Sequence, residues 1–414
     1  MRSMAYVWVL TVVLVAQAQA DWPHYLGPQF DNASREKGVA AGSITKLWTA
    51  EVGTGFSGVT IENGRAYTMG NDGTSDQVVA LDAATGAPAW KHAYPAPMEA
   101  RSYEGGPNAT PTIAGGRVYA LGKQGRMLCL DAGTGAVVWD KSAAAFNAEP
   151  PTWGFSSAPT VVGDAVVYNC GSRGIALHKD TGATLWGTGG SGAGYATALP
   201  YAAGGVKDSA AILFNSAGLH ALDAKTGVPL WSFDWNTSFE VNAASPTPVG
   251  SGFFISTGYD AGCALIDSSG PQPRQLWRNR ALCSHFATCA CRDGAIYGVD
   301  GNTGRRCNLV CLNAADGTVA WKKETGFATL RLVDETLFVL TEAGMLYVVK
   351  ATPKAYTELA RHRAMDGKCW TAPTVDSKRL YVRNATGTLT CYQLQGGALT
   401  VDPLPPDKDV NLGY

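Results

Sequence analysis

Ala80-Leu-Asp-Ala-Ala-Thr-Gly-Ala-Pro-Ala-Trp90 is a stretch that recurs along this 414-residue chain. Its pattern predicts the end of a strand, a tight Asp/Thr/Gly turn and a new strand led by tryptophan. Related copies occupy 129–139, 176–186, 221–231 and 311–321, with a lengthened one at 264–277. The tryptophans at 90, 139, 186, 231, 277 and 321 are 49, 47, 45, 46 and 44 residues apart. This period is typical of β-propeller blades.

A second phrase precedes the first within each period. It occurs as Pro111–Tyr119, Pro159–Tyr168 and Pro373–Tyr381, short apolar runs broken by a turn. Together the two phrases supply four strands per period, and a ring of such sheets buries faces that one sheet would expose. We therefore predict an all-β, eight-bladed propeller of four-stranded blades, closed by the N-terminal strand at Trp48. Seven blades is the alternative if Leu359 does not begin an outer strand.

The repeat resembles a known family. Ala-x-Asp-x-x-Thr-Gly-x-x-x-Trp, complete at 80–90 and 221–231, is similar to the tryptophan-docking motif of pyrroloquinoline quinone (PQQ) propellers. The leading Trp22-Pro-His-Tyr-Leu-Gly-Pro28 resembles a segment of exported bacterial PQQ-like repeat proteins. That group is related in fold to quinoprotein dehydrogenases and to the propeller lipoprotein of outer-membrane protein assembly. The resemblance therefore implies the fold and leaves an enzyme and a scaffold both open.

The ends of the chain indicate export. Residues 1–20 carry Arg2, an apolar core and Ala18-Gln-Ala20, which predicts a signal peptide cleaved before Asp21. We expect a periplasmic or secreted protein without a membrane anchor, since no later apolar run approaches the roughly 20 residues of a spanning helix. The predicted organisation is a signal peptide at 1–20, an irregular leader at 21–45, the propeller at 46–400 and a flexible tail at 401–414. A net charge of -1 offers no basic footprint for nucleic acid.

Candidate site residues lie in the loops before the Pro-Thr strands, which should line one mouth of the central channel. They are Tyr103, Glu104, Asn108, Trp153, Phe155, Tyr195, Asn242, His285 and Trp370. Such a set fits a small-molecule or peptide site, and it also fits polar loops around a water-filled channel. In the PQQ dehydrogenases that the chain resembles, this mouth holds the quinone and Ca²⁺. The resemblance makes six residues candidates for cofactor binding: Glu104, Asn108, Trp153, Tyr195, Asn242 and Trp370.

The sequence lacks several features of quinoprotein dehydrogenases. No two cysteines are adjacent, and no Cys-x-x-Cys-His haem site exists. Glu104 and Asn108 come from one loop, without an obvious acidic partner for Ca²⁺. We therefore favour a non-catalytic binding or scaffold module with a protein or small-molecule partner, and assign no catalytic residue. A PQQ- and Ca²⁺-dependent alcohol or sugar dehydrogenase is the alternative.

The cysteines suggest a third hypothesis. Cys283-Ser-His285-Phe-Ala-Thr-Cys289-Ala-Cys291 places two thiols on one face of a predicted strand, with Cys283 and His285 in the loop before it. A soft sulfur and nitrogen set of this kind could hold Zn²⁺ or Cu(I), in a metal- or redox-handling protein. Disulfides, with Cys307 as a possible partner, or buried thiols are the other interpretations. Cys129, Cys311 and Cys391 occupy the small-residue slot of the repeat and are expected to be packing residues.

Overall fold

The computed structural model describes residues 21–39, 41–101, 103–304, 306–396 and 401–403. The predicted signal peptide at 1–20 and positions 404–414 of the predicted tail lie outside the described residues. In the described part of the chain, no helix is both long enough and apolar enough to cross a membrane.

Eight antiparallel sheets form the eight blades of a propeller. Two strands precede the first complete blade: β1 (Ala33–Ser34) and β2 (Ser43–Glu51). Blade 1 contains β3 (Thr60–Glu62), β4 (Arg65–Asn71), β5 (Ser75–Asp82) and β6 (Pro88–Pro95). Blade 2 contains β7 (Thr112–Ala114), β8 (Arg117–Leu121), β9 (Arg126–Asp131) and β10 (Val137–Ser142). Blade 3 contains β11 (Thr160–Val162), β12 (Ala165–Tyr168), β13 (Ile175–His178) and β14 (Thr184–Gly187).

The remaining blades follow the same order from the innermost to the outermost strand. Blade 4 contains β15 (Leu199–Tyr201), β16 (Ala210–Asn215), β17 (Gly218–Asp223) and β18 (Pro229–Asp234). Blade 5 contains β19 (Thr247–Val249), β20 (Gly252–Thr257), β21 (Gly262–Asp267) and β22 (Arg274–Asn279). Blade 6 contains β23 (Ala290–Arg292), β24 (Ala295–Asp300), β25 (Asn308–Asn313) and β26 (Val319–Glu324). Blade 7 contains β27 (Ala328–Val333), β28 (Thr336–Thr341), β29 (Met345–Lys350) and β30 (Glu358–Arg363).

The eighth blade joins the two ends of the chain. Its inner strands are β31 (Thr374–Asp376), β32 (Arg379–Arg383) and β33 (Thr388–Gln395), and its outermost strand is β2. Trp48 of β2 lies opposite Cys391 of β33. The predicted closure and the count of eight blades are confirmed. Leu359 lies in the outermost strand of blade 7, so the seven-bladed alternative is wrong.

The Asp/Thr/Gly turns are fixed by their own side chains. In blade 1, the Asp82 carboxylate accepts hydrogen bonds from the backbone N–H of Ala84 and from the backbone and hydroxyl of Thr85, at 2.8–3.0 Å. These bonds, led by the Thr85 hydroxyl, hold the pKa of Asp82 below its usual value. Gly86 completes the turn with a φ of 74°, which a residue with a Cβ rarely adopts. The turn therefore forms from local residues alone.

The repeated tryptophans connect neighbouring blades. In six cases the indole N–H donates to a backbone carbonyl of the next blade: Trp48 to Ala83, Trp90 to Ala132, Trp139 to Lys179, Trp186 to Ala224, Trp277 to Ala314 and Trp321 to Thr352. Trp231 is an exception, and the turn it faces in blade 5 belongs to the lengthened copy of the repeat. Its buried indole nitrogen has no partner among the described residues. Tyr201 donates to Ser268 of that turn instead, at 3.0 Å.

Residues 22–34, here called the plug, lie inside the ring of innermost strands. Trp22 pairs with Ile61 of β3, and the Pro23 carbonyl accepts from the Ile113 N–H of β7 at 2.7 Å. On the other side of the plug, the Asn32 side-chain amide donates to two backbone carbonyls. One is that of Thr288, just before the innermost strand of blade 6, and the other is that of Leu330, within the innermost strand of blade 7. β1 then pairs in parallel with β27. Part of the stretch predicted as an irregular leader is therefore ordered, buried structure.

Candidate functional site

A cavity of about 340 Å³ lies at the mouth where the innermost strands begin. It is lined by loops from blades 1 to 6 and 8 and by Tyr25 of the plug. We call this cavity the cup. Because the plug supplies Tyr25 to the lining and fills the ring beyond it, the cup is a blind cavity at one mouth.

Aromatic rings form most of the cup wall. Seven of them follow one another with centroid distances of 5.0–5.8 Å, in the order Trp153, Tyr103, Phe56, Trp370, Phe286, His285 and Tyr259. We call these seven rings the aromatic belt. Tyr195 lies beside Trp153 at one end of the belt, and the Tyr195 hydroxyl accepts from the backbone N–H of Trp153 at 3.4 Å. Neighbouring rings are tilted or edge-on, the arrangement that aromatic pairs prefer.

Hydroxyl groups of the lining tie adjacent blades together. Thr110 accepts from the Gly58 N–H at 2.8 Å, Thr197 from the Ala158 N–H at 3.1 Å, and Ser245 from the Thr197 N–H at 3.0 Å. A hydroxyl that accepts one bond keeps its own hydrogen as a donor. These three side chains therefore both hold the mouth together and offer O–H donors to the cup.

The lining is uncharged at neutral pH as far as the structure describes it. None of the described lining residues is Asp, Glu, Lys or Arg. Burial lowers the pKa of His285 to about 4, so its imidazole is neutral at pH 7. Burial also raises the pKa of Tyr195, which keeps its hydroxyl protonated.

Two lysines approach the aromatic belt without lining the cup. The Lys123 ammonium lies 4.8 Å from the ring centroid of Tyr103, and the Lys368 ammonium lies 4.7 Å from that of Trp370. Each is close to a glutamate: Lys123 to Glu99 at 3.8 Å and Lys368 to Glu104 at 3.1 Å. The belt therefore already carries two cation–π contacts of its own.

Six residues named from the sequence line the cup: Tyr103, Asn108, Trp153, Tyr195, His285 and Trp370. Asn108 supports the wall, since its amide donates to the Trp153 carbonyl at 3.1 Å and to the Ser156 hydroxyl at 3.2 Å. The Trp370 indole N–H donates to Glu342 at 2.6 Å.

Three residues named with them are not among those that line the cup. Glu104 forms the ion pair with Lys368, and Phe155 packs in the core between blades 2 and 3. Asn242 is fully buried, and its amide donates to the carbonyls of Asn215 and Trp235 at 2.7 and 3.2 Å. Asn242 therefore stabilises loop backbone instead of facing the cavity.

Several lining residues were not named from the sequence. Phe56 and Phe286 stand in strand-leading loops like the residues that were named, and their position was the available signal. Tyr259 comes from the turn between β20 and β21, and Tyr25 from the plug. For these two, no local pattern indicates a place in the cup.

The cysteines are all free thiols, and nine of the ten are buried. Cys289 and Cys291 contact the same core cluster, as expected for positions two apart on a strand. The Cys283 backbone N–H donates to Asp300, whereas His285 turns its ring to the cup. Among the described residues there is no group of three or more His, Cys, Asp or Glu side chains that could hold a metal ion. The structure thus does not assemble Cys283, His285, Cys289 and Cys291 into a ligand set, and no disulfide forms.

A Ca²⁺–quinone centre does not fit the described lining. Ca²⁺ takes six to eight oxygen ligands, among them carboxylates. The lining supplies the Asn108 amide and hydroxyl groups, without a carboxylate among its described residues.

The repeats, the eight blades and the cup define a PQQ-repeat β-propeller. The protein-family model described as "Outer membrane protein assembly factor BamB" matches residues 37–200, 95–323 and 215–353. The chain therefore belongs to that family. No curated protein sequence matches it.

Solved structures show the same fold at low sequence identity. BamB from Moraxella catarrhalis is 18% identical, with 86% of this chain and 99% of that chain covered and a TM-score of 0.65. A europium-containing methanol dehydrogenase is 12% identical, with 89% and 90% covered and a TM-score of 0.70. Quinohemoprotein alcohol dehydrogenase from Comamonas testosteroni is 14% identical, with 93% and 82% covered and a TM-score of 0.69. The fold is thus shared by an assembly factor and by enzymes.

Proposed function

We propose that this protein is a non-catalytic binding module that engages its partner or ligand at the cup. The observation that carries this proposal is the aromatic belt around an uncharged, blind cavity. Concave sites of this kind, apolar with a few placed polar groups, are typical of ligand pockets. Aromatic side chains also dominate the residues that anchor partners at protein interfaces.

The chemistry of the lining supports binding over catalysis. A general base works best when its pKa lies near the working pH. Burial holds the pKa of His285 near 4, well below that range. The described lining offers no carboxylate, lysine or arginine that could take over the role.

We further propose that the protein acts after export, in the periplasm or outside the cell. The support is the signal-peptide pattern of residues 1–20 and the description of the family as an outer-membrane protein assembly factor. Mass spectrometry of the protein purified from its native cell envelope should find Asp21 as the first residue. A chain beginning at Met1 in the cytosolic fraction would contradict export.

Photo-crosslinking in the native cell tests the binding mouth. Phe239 is 75% exposed and its ring lies 5.1 Å from Tyr259 of the aromatic belt. Val206 is 62% exposed and lies in the β15–β16 loop, at the opposite mouth. With p-benzoylphenylalanine in place of each, we expect a discrete adduct from position 239 and none from 206. The same adducts from both positions, or none from 239, would contradict the proposal.

Titration with PQQ and excess Ca²⁺ tests the alternative of a dehydrogenase. We expect no saturable change in absorbance and no rise in melting temperature. A ligand that binds the native state raises its stability by mass action. A saturable rise would therefore support the dehydrogenase.

A further inference from the structure

The shape of the cup limits the size and form of its ligand. Its volume of about 340 Å³ is near the lower end of the range of roughly 300–1,000 Å³ for small-molecule pockets. Rings spaced 5.0–5.8 Å apart surround it on most sides. A flat ring that enters the cup can make offset-stacked or edge-to-face contacts with more than one of these rings. The walls therefore favour a compact ligand of one or two rings.

The charges in and around the cup favour an uncharged ligand. An anion would lose its hydration without meeting a cation among the described lining residues. A cation would meet aromatic faces, but Tyr103 and Trp370 each already carry a lysine ammonium within 5 Å. Those two rings are therefore already occupied by positive charge, and the described carboxylates beside the belt are engaged: Glu99 and Glu104 with the lysines, and Glu342 with the Trp370 indole.

The polar atoms of the cup favour a ligand with few oxygens. Several donors are already used within the protein: the Asn108 amide on Trp153 and Ser156, the Tyr103 hydroxyl on Trp153, and the Thr371 hydroxyl on Phe56. The hydroxyl hydrogens of Thr110, Thr197 and Ser245 remain for acceptor atoms, and the buried Nδ1 of His285 has no hydrogen-bond partner among the described residues. A sugar buried here would leave several of its hydroxyls without partners, at a cost of about 1–3 kcal/mol for each unsatisfied group. One or two oxygens on an aromatic ring match the available donors.

We infer that the cup binds an uncharged aromatic ring that carries an oxygen acceptor, the chemistry of a phenol. This inference rests on the proposed binding function and names the ligand class of the same site. Two sources can supply that ring: a free phenolic compound, or a tyrosine side chain of a polypeptide partner. In either case the ring packs against aromatic-belt side chains from inside the cup, and its oxygen accepts from hydroxyls of the lining.

The test is a titration of the full mature chain with p-cresol, followed by calorimetry and by tryptophan fluorescence, to which Trp153 and Trp370 in the wall contribute. We expect saturable binding with a Kd of about 0.1–1 mM, a range suited to a ligand of so few atoms. Four probes isolate the features of p-cresol: cyclohexanol lacks the aromatic ring, methyl β-D-glucoside is a sugar, benzoate is an anion and tetramethylammonium is a cation. Each should bind at least tenfold more weakly.

Two matched variants locate the binding. Ala243 lines the cup, so Ala243→Phe should fill it and weaken p-cresol binding more than tenfold. Ala84 is exposed in the β5–β6 turn, and Ala84→Phe should leave the Kd unchanged. Equal melting temperatures of the two variants confirm that both are folded. A Kd for p-cresol that Ala243→Phe does not change would overturn the inference.

The remaining outcomes separate the ligand source from the ligand class. The tripeptide Gly-Tyr-Gly is compared with p-cresol: a preference of more than tenfold for p-cresol assigns a free phenolic compound, and a smaller preference assigns a tyrosine side chain. No binding of p-cresol at 10 mM, or tighter binding of the glucoside or tetramethylammonium, refutes the ligand class. If the adduct at position 239 persists in that case, the binding function stands and only the phenol is wrong.

Discussion

Asp376, the last residue of β31, is a buried carboxyl group with a raised pKa. It is only 3% exposed, and one of its oxygens has no partner among the described residues. Burial raises its pKa to about 7, the Glu36 and Asp21 carboxylates add to the rise, and Arg379 opposes it. Because the pKa is higher in the folded than in the unfolded chain, stability is greatest below pH 4 for this group and falls as pH rises to about 7.

Asp376→Asn should therefore stabilise the protein at pH 8 and have little effect at pH 4. A shift of about three pKa units corresponds to an upper limit on the order of 4 kcal/mol, so a gain of about 2 kcal/mol is expected. Denaturant unfolding of both proteins at the two pH values measures it. Equal gains at pH 4 and pH 8 would show that ionisation of Asp376 is not the cause.

Glycine is required in the Asp/Thr/Gly turn for two reasons, which two alanine variants separate. Gly135 has a φ of 73°, and a Cβ built on it would lie 2.6 Å from the Trp90 ring of the preceding blade. Gly115, in the β7–β8 turn of the same blade, has a φ of 58° and no atom within 4 Å of such a Cβ. Gly115→Ala should cost about 1 kcal/mol for the backbone alone, and Gly135→Ala about 2–4 kcal/mol because it also displaces the indole. Equal losses in denaturant unfolding would show that the contact with Trp90 is unimportant.

At the scale of the element, the sequence predicted the strands because their signals are local. Asp82, Thr85 and Gly86 form their turn without help from the rest of the chain, and the tryptophan follows at a fixed distance. The plug has no such signal. Trp22, Asn32 and their neighbours are ordered by contacts with strands far away in the sequence, and no period of 2 or 3.6 marks them.

The cup was predictable only in part for a related reason. The repeat indicates which loops reach the mouth, but not which side chain of a loop points into the cavity. His285 and Phe286 are adjacent and both line it, whereas Asn242 lies between the lining residues Val241 and Ala243 and points away. That choice depends on the hydrogen bonds of Asn242 to Asn215 and Trp235, which are contacts of the folded molecule.

Arg331 of β27 is expected to hold the plug in place. Its buried guanidinium donates to Asn32 of the plug and to the Pro373 carbonyl, and lies 5.2 Å from the Trp22 ring centroid. Burial lowers its pKa to about 10, so it remains charged at pH 7. Arg331→Met should accelerate amide hydrogen exchange in residues 22–34 at least tenfold, measured by mass spectrometry, with a smaller change elsewhere.

Arg383 of β32 provides the matched control. It is equally buried, but it donates to Gly53, Ser57, Thr68 and Met69 and not to the plug. Arg383→Met should destabilise the protein without a selective effect on residues 22–34. If both variants loosen the plug to the same extent, the plug is held by the general stability of the ring and not by Arg331.

For the whole molecule, the pairing of β2 with β33 is the place where the first and last strands of the described ring complete one four-stranded blade. The other blades are each built from four consecutive strands, with β1 added in parallel to β27 of blade 7, so their own pairing survives if the ring opens. Blade 8 instead joins segments more than 300 residues apart, and closing so long a loop carries a large entropic cost. We therefore expect the ring to open first at this pairing when the protein unfolds.

A disulfide across that pairing tests the idea. Thr49 and Thr390 are opposite each other, 341 residues apart in sequence, with their hydroxyls 3.1 Å apart, and directly paired strand positions are close enough for an S–S bond. Burial raises the pKa of Cys391 to about 12, which keeps this neighbouring thiol unreactive at pH 8. Oxidised Thr49→Cys/Thr390→Cys should unfold at least tenfold more slowly, with a melting temperature about 3–8 °C higher.

The reduced double variant and the single Thr390→Cys variant are the controls, and both should behave like the unmodified protein. An unchanged unfolding rate in the oxidised form would mean that the ring opens elsewhere, since a cross-link slows unfolding only if the linked strands separate before the rate-limiting step.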